Sequence, residues 1–118
     1  MTPELKIDLT IGLNQIDHKL YRIIRQFAPF GPGNMTPVFM TQGVTDTGWG
    51  KCVGEDDKHI RFTATQSFND KLVAIGFGLG DKIDLIKNRK PFDIVYTIDE
   101  NHWNGDVSLQ LKLKDIKA

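Results

Sequence analysis

The sequence predicts a mainly β protein in which five strands close into a barrel, preceded by one strand and an amphipathic helix. Three observations support this prediction. Apolar and polar residues alternate over most of the chain after Thr36, which is typical of strands that bury one face. Apolar residues between positions 15 and 27 recur with the period of a helix. A segment rich in proline and glycine, residues 28–34, separates the two regions and interrupts regular structure.

The composition is that of a globular protein with room for a single domain, because the chain has 118 residues and is 40% hydrophobic. Cys52 is the only cysteine, so no intramolecular disulfide can form, and we expect a reducing, cytoplasmic setting. No apolar run approaches the roughly 20 residues of a membrane helix, and no membrane contact is expected. Lys plus Arg and Asp plus Glu both number 15, so any nucleic-acid binding by the chain alone should be weak.

The N-terminal part, residues 1–35, is expected to hold a strand, a helix and the Pro/Gly connector. Leu5, Ile7 and Leu9 alternate with polar residues, which predicts a half-buried strand. A helix is predicted over 15–27 with Asn14 as its N-cap. Its apolar face consists of Ile16, Leu20, Ile23, Ile24 and Phe27.

The barrel is expected to occupy residues 36–118. Its first strand is long and bends at Gly48-Trp49-Gly50, because glycines inside a strand pattern mark bulges and bends. The predicted elements, in order, are strands over 38–53, 59–65 and 71–77, a short helix over 81–88, and strands over 92–98 and 107–113. This order suits a five-stranded Greek-key barrel of the OB type with a short helix between strands three and four; SH3-like barrels usually lack that helix.

The alternation also predicts which side chains face the core. Ile60 and Phe62 of the second strand are expected to point inward, as are the leucines at 109, 111 and 113. In the third strand we expect the bulkier Val73, Ile75 and Phe77 to point inward and Leu72, Ala74 and Gly76 to point outward.

Several segments together resemble a known family. The connector Pro29-Phe30-Gly31-Pro32-Gly33-Asn34, followed by Pro37-Val38-Phe39, resembles the stretch that opens the OB domain of RecJ single-strand DNA exonucleases. Later segments agree in order and spacing: Val53-Gly54 with Lys58-His59-Ile60, then Ala74-Ile75-Gly76-Phe77-Gly78, then Asn101-His102-Trp103-Asn104-Gly105 before Leu109-Gln110-Leu111. The whole resemblance runs from about residue 14 to residue 116. The resemblance implies an intact enzyme with upstream DHH and DHHA1-type catalytic domains that uses Mn²⁺ or Mg²⁺ and degrades single-stranded DNA from the 5′ end.

We predict no catalytic residue and no metal site in this chain. Two-metal phosphodiester cleavage needs several carboxylates and histidines around two ions, whereas Asp17-His18 lacks the second histidine of a DHH motif and lies on a predicted helix. Asp56, Asp57 and His59 are better explained as a polar turn. Cys52 is expected to be a structural thiol, and Gly76, Gly78 and Gly80 lack the spacing of a phosphate-binding loop.

The predicted ligand is single-stranded DNA. OB barrels bind oligonucleotides over their second and third strands, between two loops that correspond here to 54–58 and 99–105. Aromatic side chains there can stack on bases, and Arg61 can pair with phosphate. The predicted DNA-binding residues are Trp49, Lys51, Lys58, His59, Arg61, Thr63, His102, Trp103, Gln110 and Lys112.

An alternative stays open in which the domain is a structural or protein-docking module that braces the nuclease with little DNA contact. The zero net charge and the acidic turn Glu55-Asp56-Asp57 favour it. In that case Trp49 and Trp103 could cap the barrel ends, and Arg61 could pair with an aspartate of the turn.

Overall fold

The computed structural model describes residues 6–26, 36–67 and 69–118, and it is mainly β, as predicted. The Pro/Gly connector, Leu5 and Phe27 lie outside the described residues. No helix within these ranges is long and apolar enough to cross a membrane. The elements are β1 (Leu9–Thr10), α1 (His18–Arg25), β2 (Phe39–Asp46), β3 (Lys51–Val53), β4 (His59–Ser67), β5 (Asp70–Gly76), α2 (Ile83–Lys87), β6 (Phe92–Trp103) and β7 (Asp106–Lys117).

Five of the seven strands form a closed ring in the order β2, β6, β7, β5 and β4, because β2 also pairs with β4. Within the ring, β5 and β7 run parallel and the other neighbours run antiparallel. Closure removes the free edges of the ring strands. The strand count differs from the prediction, since β1 pairs with β2 and β3 pairs with β4 beside the ring.

The single bent strand expected over 38–53 is two strands separated at 47–50. The Asp46 carboxylate accepts a hydrogen bond from the Gly50 N–H at 3.0 Å, which bends the chain locally. β2 and β3 both run antiparallel to β4, so the chain continues in the same direction after the bend. Gly48 has φ +112°, a conformation that favours glycine. A Cβ on Gly50 would lie 2.8 Å from the Phe62 Cβ, so the chain passes too close to β4 for a side chain.

The core lies inside the ring and confirms the predicted inward faces of the second and last strands. Ile60, Phe62, Leu109 and Leu111 are all buried. The Phe62 ring meets the Phe92 ring edge to face, with centroids 5.6 Å apart. Buried side chains of α1 and of the residues before it belong to the same apolar cluster, namely Ile11, Leu13, Ile16, Tyr21 and Ile24.

The predicted orientation of β5 is wrong. Ala74 and Gly76 are buried, whereas Phe77 is 60% exposed and Val73 and Ile75 are half-buried on the outside. The interior next to Gly76 is already filled, because a Cβ there would lie 2.7 Å from Leu79 Cδ1 and 2.9 Å from Ile60 Cγ2. Only a small residue can therefore face inward at position 76. Leu72, which was also expected to point outward, packs against the core instead.

The N-terminal elements are also shorter than predicted. β1 covers only Leu9 and Thr10, and Leu9 is 55% exposed. Asn14 is not the N-cap of the helix, because it lies in the 3₁₀ turn Leu13–Gln15. α1 begins at His18, where the Asp17 carboxylate accepts the Leu20 N–H at 2.8 Å. Ile23, expected on the buried face, is exposed.

A buried pair of hydroxyl groups links β2 to β6. Thr41 Oγ1 and Tyr96 Oη lie 2.6 Å apart. Burial raises the pKa of Tyr96 from 10.0 to about 12, and the hydrogen bond to Thr41 only partly offsets this effect. The folded protein therefore holds the Tyr96 proton more tightly than the unfolded chain does.

We expect this pair to make stability fall at high pH. Because the pKa is higher in the folded state, the free energy of unfolding is unaffected by Tyr96 below about pH 10 and falls between about pH 10 and 12, by roughly 2–3 kcal/mol in total. Urea unfolding of wild type and Tyr96→Phe across this range measures the effect. The variant should lose about 1 kcal/mol at neutral pH, because Thr41 is left unpaired, and should lack this part of the alkaline loss. Parallel pH profiles for the two proteins would contradict the assignment.

Candidate nucleic-acid interface

Strand register places three cations in line across the outside of the ring. Lys51 of β3 is directly opposite Arg61 of β4, which is in turn opposite Ile75 of β5. Ile75 is opposite Lys112 of β7. Neighbouring strands are about 4.8 Å apart, so Arg61 and Lys112 flank Ile75 at roughly 10 Å from each other. We call Lys51, Arg61 and Lys112 the basic row.

A second line of paired residues runs beside the basic row and carries two neutral polar side chains, one apolar side chain and one carboxylate. Thr63 is opposite Val73, and Val73 is opposite Gln110. Gln110 is opposite Asp99 of β6. These residues and the basic row together form what we call the outer face. Five predicted DNA-binding residues therefore lie on one surface: Lys51, Arg61, Thr63, Gln110 and Lys112.

The charges of the basic row are available to a ligand. All three side chains are exposed, and none forms an ion pair with a residue of the described ranges. The suggested pairing of Arg61 with Asp56 or Asp57 is not observed. An extended, solvated line of cations suits a phosphate backbone.

Apolar side chains that the sequence prediction placed inside the barrel complete the outer face. Val73 and Ile75 lie between the polar residues, and Phe77 follows at the end of β5. Phe77 also lines a depression of ≈ 220 Å³, and the other residues of its lining are Asp99, Glu100, Asn101, Gln110 and Lys112. The exposed ring of Phe77 offers a surface on which a base can stack, with one cation and two carboxylates around it. The sequence did carry a signal for this orientation of β5, because the small residues Ala74 and Gly76 alternate with the large ones.

His59 supports Phe77 and does not face outward freely. Its Nδ1 accepts the Gly78 N–H at 2.9 Å, so the proton of the neutral imidazole is on Nε2. The His59 and Phe77 rings meet at 71° with centroids 5.3 Å apart. Lys58, the neighbouring predicted contact, is exposed, and its carbonyl oxygen accepts the Gly80 N–H at 2.9 Å.

The loop expected at 99–105 is instead the end of a hairpin. β6 and β7 remain paired as far as Trp103 and Asp106, and the turn residues Asn104 and Gly105 have φ +50° and +82°, as a tight hairpin turn requires. Trp103 is 72% exposed and does not cap the barrel. The hairpin thus carries an exposed aromatic ring beyond the core.

The remaining predicted contacts lie at the edges of the outer face. His102 is exposed, with Nε2 3.5 Å from Glu100 Oε1. Trp49 lies in the bend between β2 and β3 and is 84% exposed, so it does not cap the barrel either. Register does not bring Trp49, His102 or Trp103 into contact with the basic row.

Residues with possible catalytic chemistry have structural partners. Cys52 is half-buried, and its Sγ lies 3.5 Å from the Gly80 carbonyl oxygen. Asp17 caps α1, and Asp56 and Asp57 belong to the exposed 3₁₀ turn Glu55–Asp57. In the part of the chain that the structure describes, no group of three or more His, Cys, Asp or Glu side chains could hold a metal ion.

Comparison with known proteins gives a family match and a structural match. The family model of the RecJ OB domain matches residues 7–115. Two crystal structures of RecJ from Thermus thermophilus, one in complex with Mg²⁺ and one with Mn²⁺, resemble the chain with a TM-score of 0.65 at 20% identity. Each match covers 86% of this chain and 14% of the RecJ chain. No curated protein matches the sequence.

Proposed function

The chain belongs to the family of RecJ OB domains, and we propose that its outer face binds single-stranded DNA for a RecJ-like nuclease. The resemblance seen in the sequence is thereby confirmed at the level of the family. The chain spans about a seventh of the RecJ structures it matches, since it covers 14% of them.

The observation that supports the proposal most strongly is that the basic row lies next to exposed or half-buried apolar side chains of and after β5. A single strand presents both a charged backbone and unpaired bases, so it needs cations and flat apolar surfaces side by side. Lys51, Arg61 and Lys112 supply the cations, while Ile75 and Phe77 supply the apolar surface. A duplex would present no unstacked base to Phe77.

The hairpin adds a second place for a base. Trp103 stands at its end, where an indole ring can stack with a contribution of about 1–3 kcal/mol per base. On the other side, Lys58 follows the turn Glu55–Asp57 and precedes His59, whose ring contacts Phe77. The outer face is thus bounded by the two connections between which OB barrels bind oligonucleotides.

We further propose that the chain supplies no catalytic group and acts together with upstream DHH and DHHA1-type domains in a cytoplasmic, Mn²⁺- or Mg²⁺-dependent 5′–3′ exonuclease. Support comes from the family match and from the metal ions in the Thermus RecJ structures. In such an enzyme the outer face would hold the strand while the nuclease core cuts it.

Fluorescence anisotropy of labelled oligo-dT tests the proposal directly. We expect saturable binding that weakens with salt, and we expect Arg61→Ala to lower affinity about fivefold near 0.1 M salt, because one phosphate contact of a single strand contributes about 0.7 to the salt dependence. Arg25→Ala, which removes an exposed arginine of α1, is the matched control and should bind as wild type does.

The same titration decides against the proposal if no saturable binding occurs at low salt, or if Arg61→Ala and Arg25→Ala weaken binding equally. The first outcome would favour the docking-module alternative. Leu9 and Ile23 are the observation in its favour, since both are large apolar side chains exposed on the N-terminal elements.

A further inference from the structure

A second group of cations surrounds a small cavity at the end of β2, away from the basic row. The cavity has a volume of ≈ 180 Å³ and lies between the turn after β2 and the loop that joins α2 to β6. The residues that line it include Thr45, Asp46, Gly48, Lys87, Arg89 and Lys90.

The α2–β6 loop has a defined shape that directs its cations together. Asn88 Oδ1 accepts the Lys90 N–H at 2.9 Å, which holds the loop in a tight turn. Arg89 has φ +64°, a conformation that costs a non-glycine residue about 1–2 kcal/mol. All three cations are exposed, and none forms an ion pair with a residue in the described ranges. We call Lys87, Arg89 and Lys90 the basic loop.

Uncharged polar residues connect the basic loop to the outer face. Thr45, which lines the cavity, is directly opposite Thr65 of β4. Thr65 is four residues beyond Arg61, or about 13 Å along the strand. Thr45 also lines a neighbouring depression of ≈ 360 Å³ whose other residues are Thr47, Thr65, Gln66, Ser67 and Lys71.

We propose that the basic loop binds phosphate groups of the same DNA strand that crosses the basic row, and that the strand passes over the Thr45–Thr65 pair between them. This inference rests on the proposed function and extends it to a second binding site. Three cations within four residues match a backbone with closely spaced phosphates. Trp49, directly after Gly48, is exposed and can stack on a base there.

Among the described residues, Asp46 is the one acidic residue in the cavity lining, and its charge opposes a phosphate. Its Oδ2 accepts the Gly50 N–H, while its Oδ1 is buried and has no hydrogen-bond partner in the described chain. The three cations outnumber this carboxylate. Asp46 therefore reduces phosphate affinity at this site without reversing its charge.

The test compares two lengths of oligo-dT, one of about 6 and one of about 15 nucleotides, within the range of site sizes of OB barrels. The triple variant Lys87→Ala/Arg89→Ala/Lys90→Ala should bind the short strand as wild type does. For the long strand it should lose roughly a hundredfold in affinity near 0.1 M salt, and the slope of log affinity against log salt should become shallower by about 2. The matched control, Lys19→Ala/Arg22→Ala/Arg25→Ala, removes three exposed cations of α1 and should change neither value.

Failure of this inference is distinguishable from failure of the proposed function. If wild type binds neither strand, the proposed function fails. If wild type binds both strands and the basic-loop variant binds the long one unchanged, or no more weakly than the α1 control does, only the inference is overturned. A melting temperature measured for each variant shows whether the fold is intact.

The substitution Asp46→Asn provides a second test, in which affinity for the long strand is expected to rise. The amide oxygen can still accept the Gly50 N–H, but the negative charge is gone. If the basic loop binds phosphate, this variant should bind the long strand several-fold more tightly and the short strand unchanged. If the cations serve only to neutralise Asp46, affinity for the long strand will not rise, and the inference is overturned.

Discussion

Replacing Ile75 with glutamate is expected to abolish measurable binding of single-stranded DNA while the fold stays intact. Ile75 is directly opposite Arg61 on one side and Lys112 on the other, so a carboxylate there would pair with both cations. Neutralising two phosphate contacts on a single strand lowers affinity by roughly a hundredfold at low salt, and repulsion of the backbone adds to this loss. Opposite charges across strands stabilise a sheet by about 0.2–1 kcal/mol per pair, which offsets the lost apolar contact.

Two further substitutions at the same position isolate the charge. Ile75→Gln removes the apolar side chain without adding charge, and we expect a loss of only a few-fold. Ile75→Lys should bind more tightly than Ile75→Gln, because it adds a cation to the basic row. Anisotropy titrations of the three variants decide the matter, with melting temperatures to check the fold. Equal affinities for the glutamate, glutamine and lysine variants would show that the basic row does not contact the strand.

Gly80→Ala is expected to destabilise the protein by about 3 kcal/mol. Gly80 is buried against the turn Glu55–Asp57, and a Cβ would overlap the Asp57 carbonyl oxygen and lie 2.9 Å from the Lys58 carbonyl carbon. Both neighbours are backbone atoms, so they cannot move aside as the end of a flexible side chain could. The hydrogen bond from the Gly80 N–H to the Lys58 carbonyl oxygen would be strained at the same time.

Gly78→Ala is the control for this prediction. A Cβ on Gly78 would meet no atom within 4 Å, and its only penalty is the positive φ of +75°. That penalty is about 1–2 kcal/mol. Urea unfolding gives the free energies of both variants. A loss for Gly80→Ala no larger than that for Gly78→Ala would contradict the close packing of the turn against Gly80.

The inward faces of the strands were predicted correctly wherever large apolar residues alternate with polar residues. Ile60 and Phe62 of β4, and Leu109 and Leu111 of β7, alternate with polar residues, so burial has only one consistent direction. The mainly β fold followed from these strands. Two members of the basic row, Arg61 and Lys112, could be anticipated as well, because they occupy the polar positions of the same patterns.

β5 could not be predicted in this way, because both of its faces are apolar. Its orientation depends on space inside the ring, which Ile60 and Leu79 already fill beside Gly76. That is a tertiary constraint between residues distant in sequence. As a result, the prediction placed Phe77 in the core, and the apolar half of the proposed interface was missed.

The hairpin and the basic loop also depend on features that periodicity does not report. Residues 99–102 are polar on both faces because the hairpin extends beyond the core, so no burial pattern marks them as a strand. The conformation of Arg89 depends on the side chain of Asn88, and its proximity to Thr45 depends on ring closure. The helix starts at His18, and not at residue 15, because Asp17 and not Asn14 accepts a backbone N–H of the first helical turn.

Chemical-shift mapping by NMR tests most directly the claim that the outer face binds single-stranded DNA. During a titration of the isotopically labelled chain with oligo-dT, we predict that the backbone amide signals of Arg61, Ile75, Phe77 and Lys112 shift most, and that those of α1 stay in place. Shifts centred on α1 and β1, or no shifts at a large excess of oligonucleotide, would contradict the account.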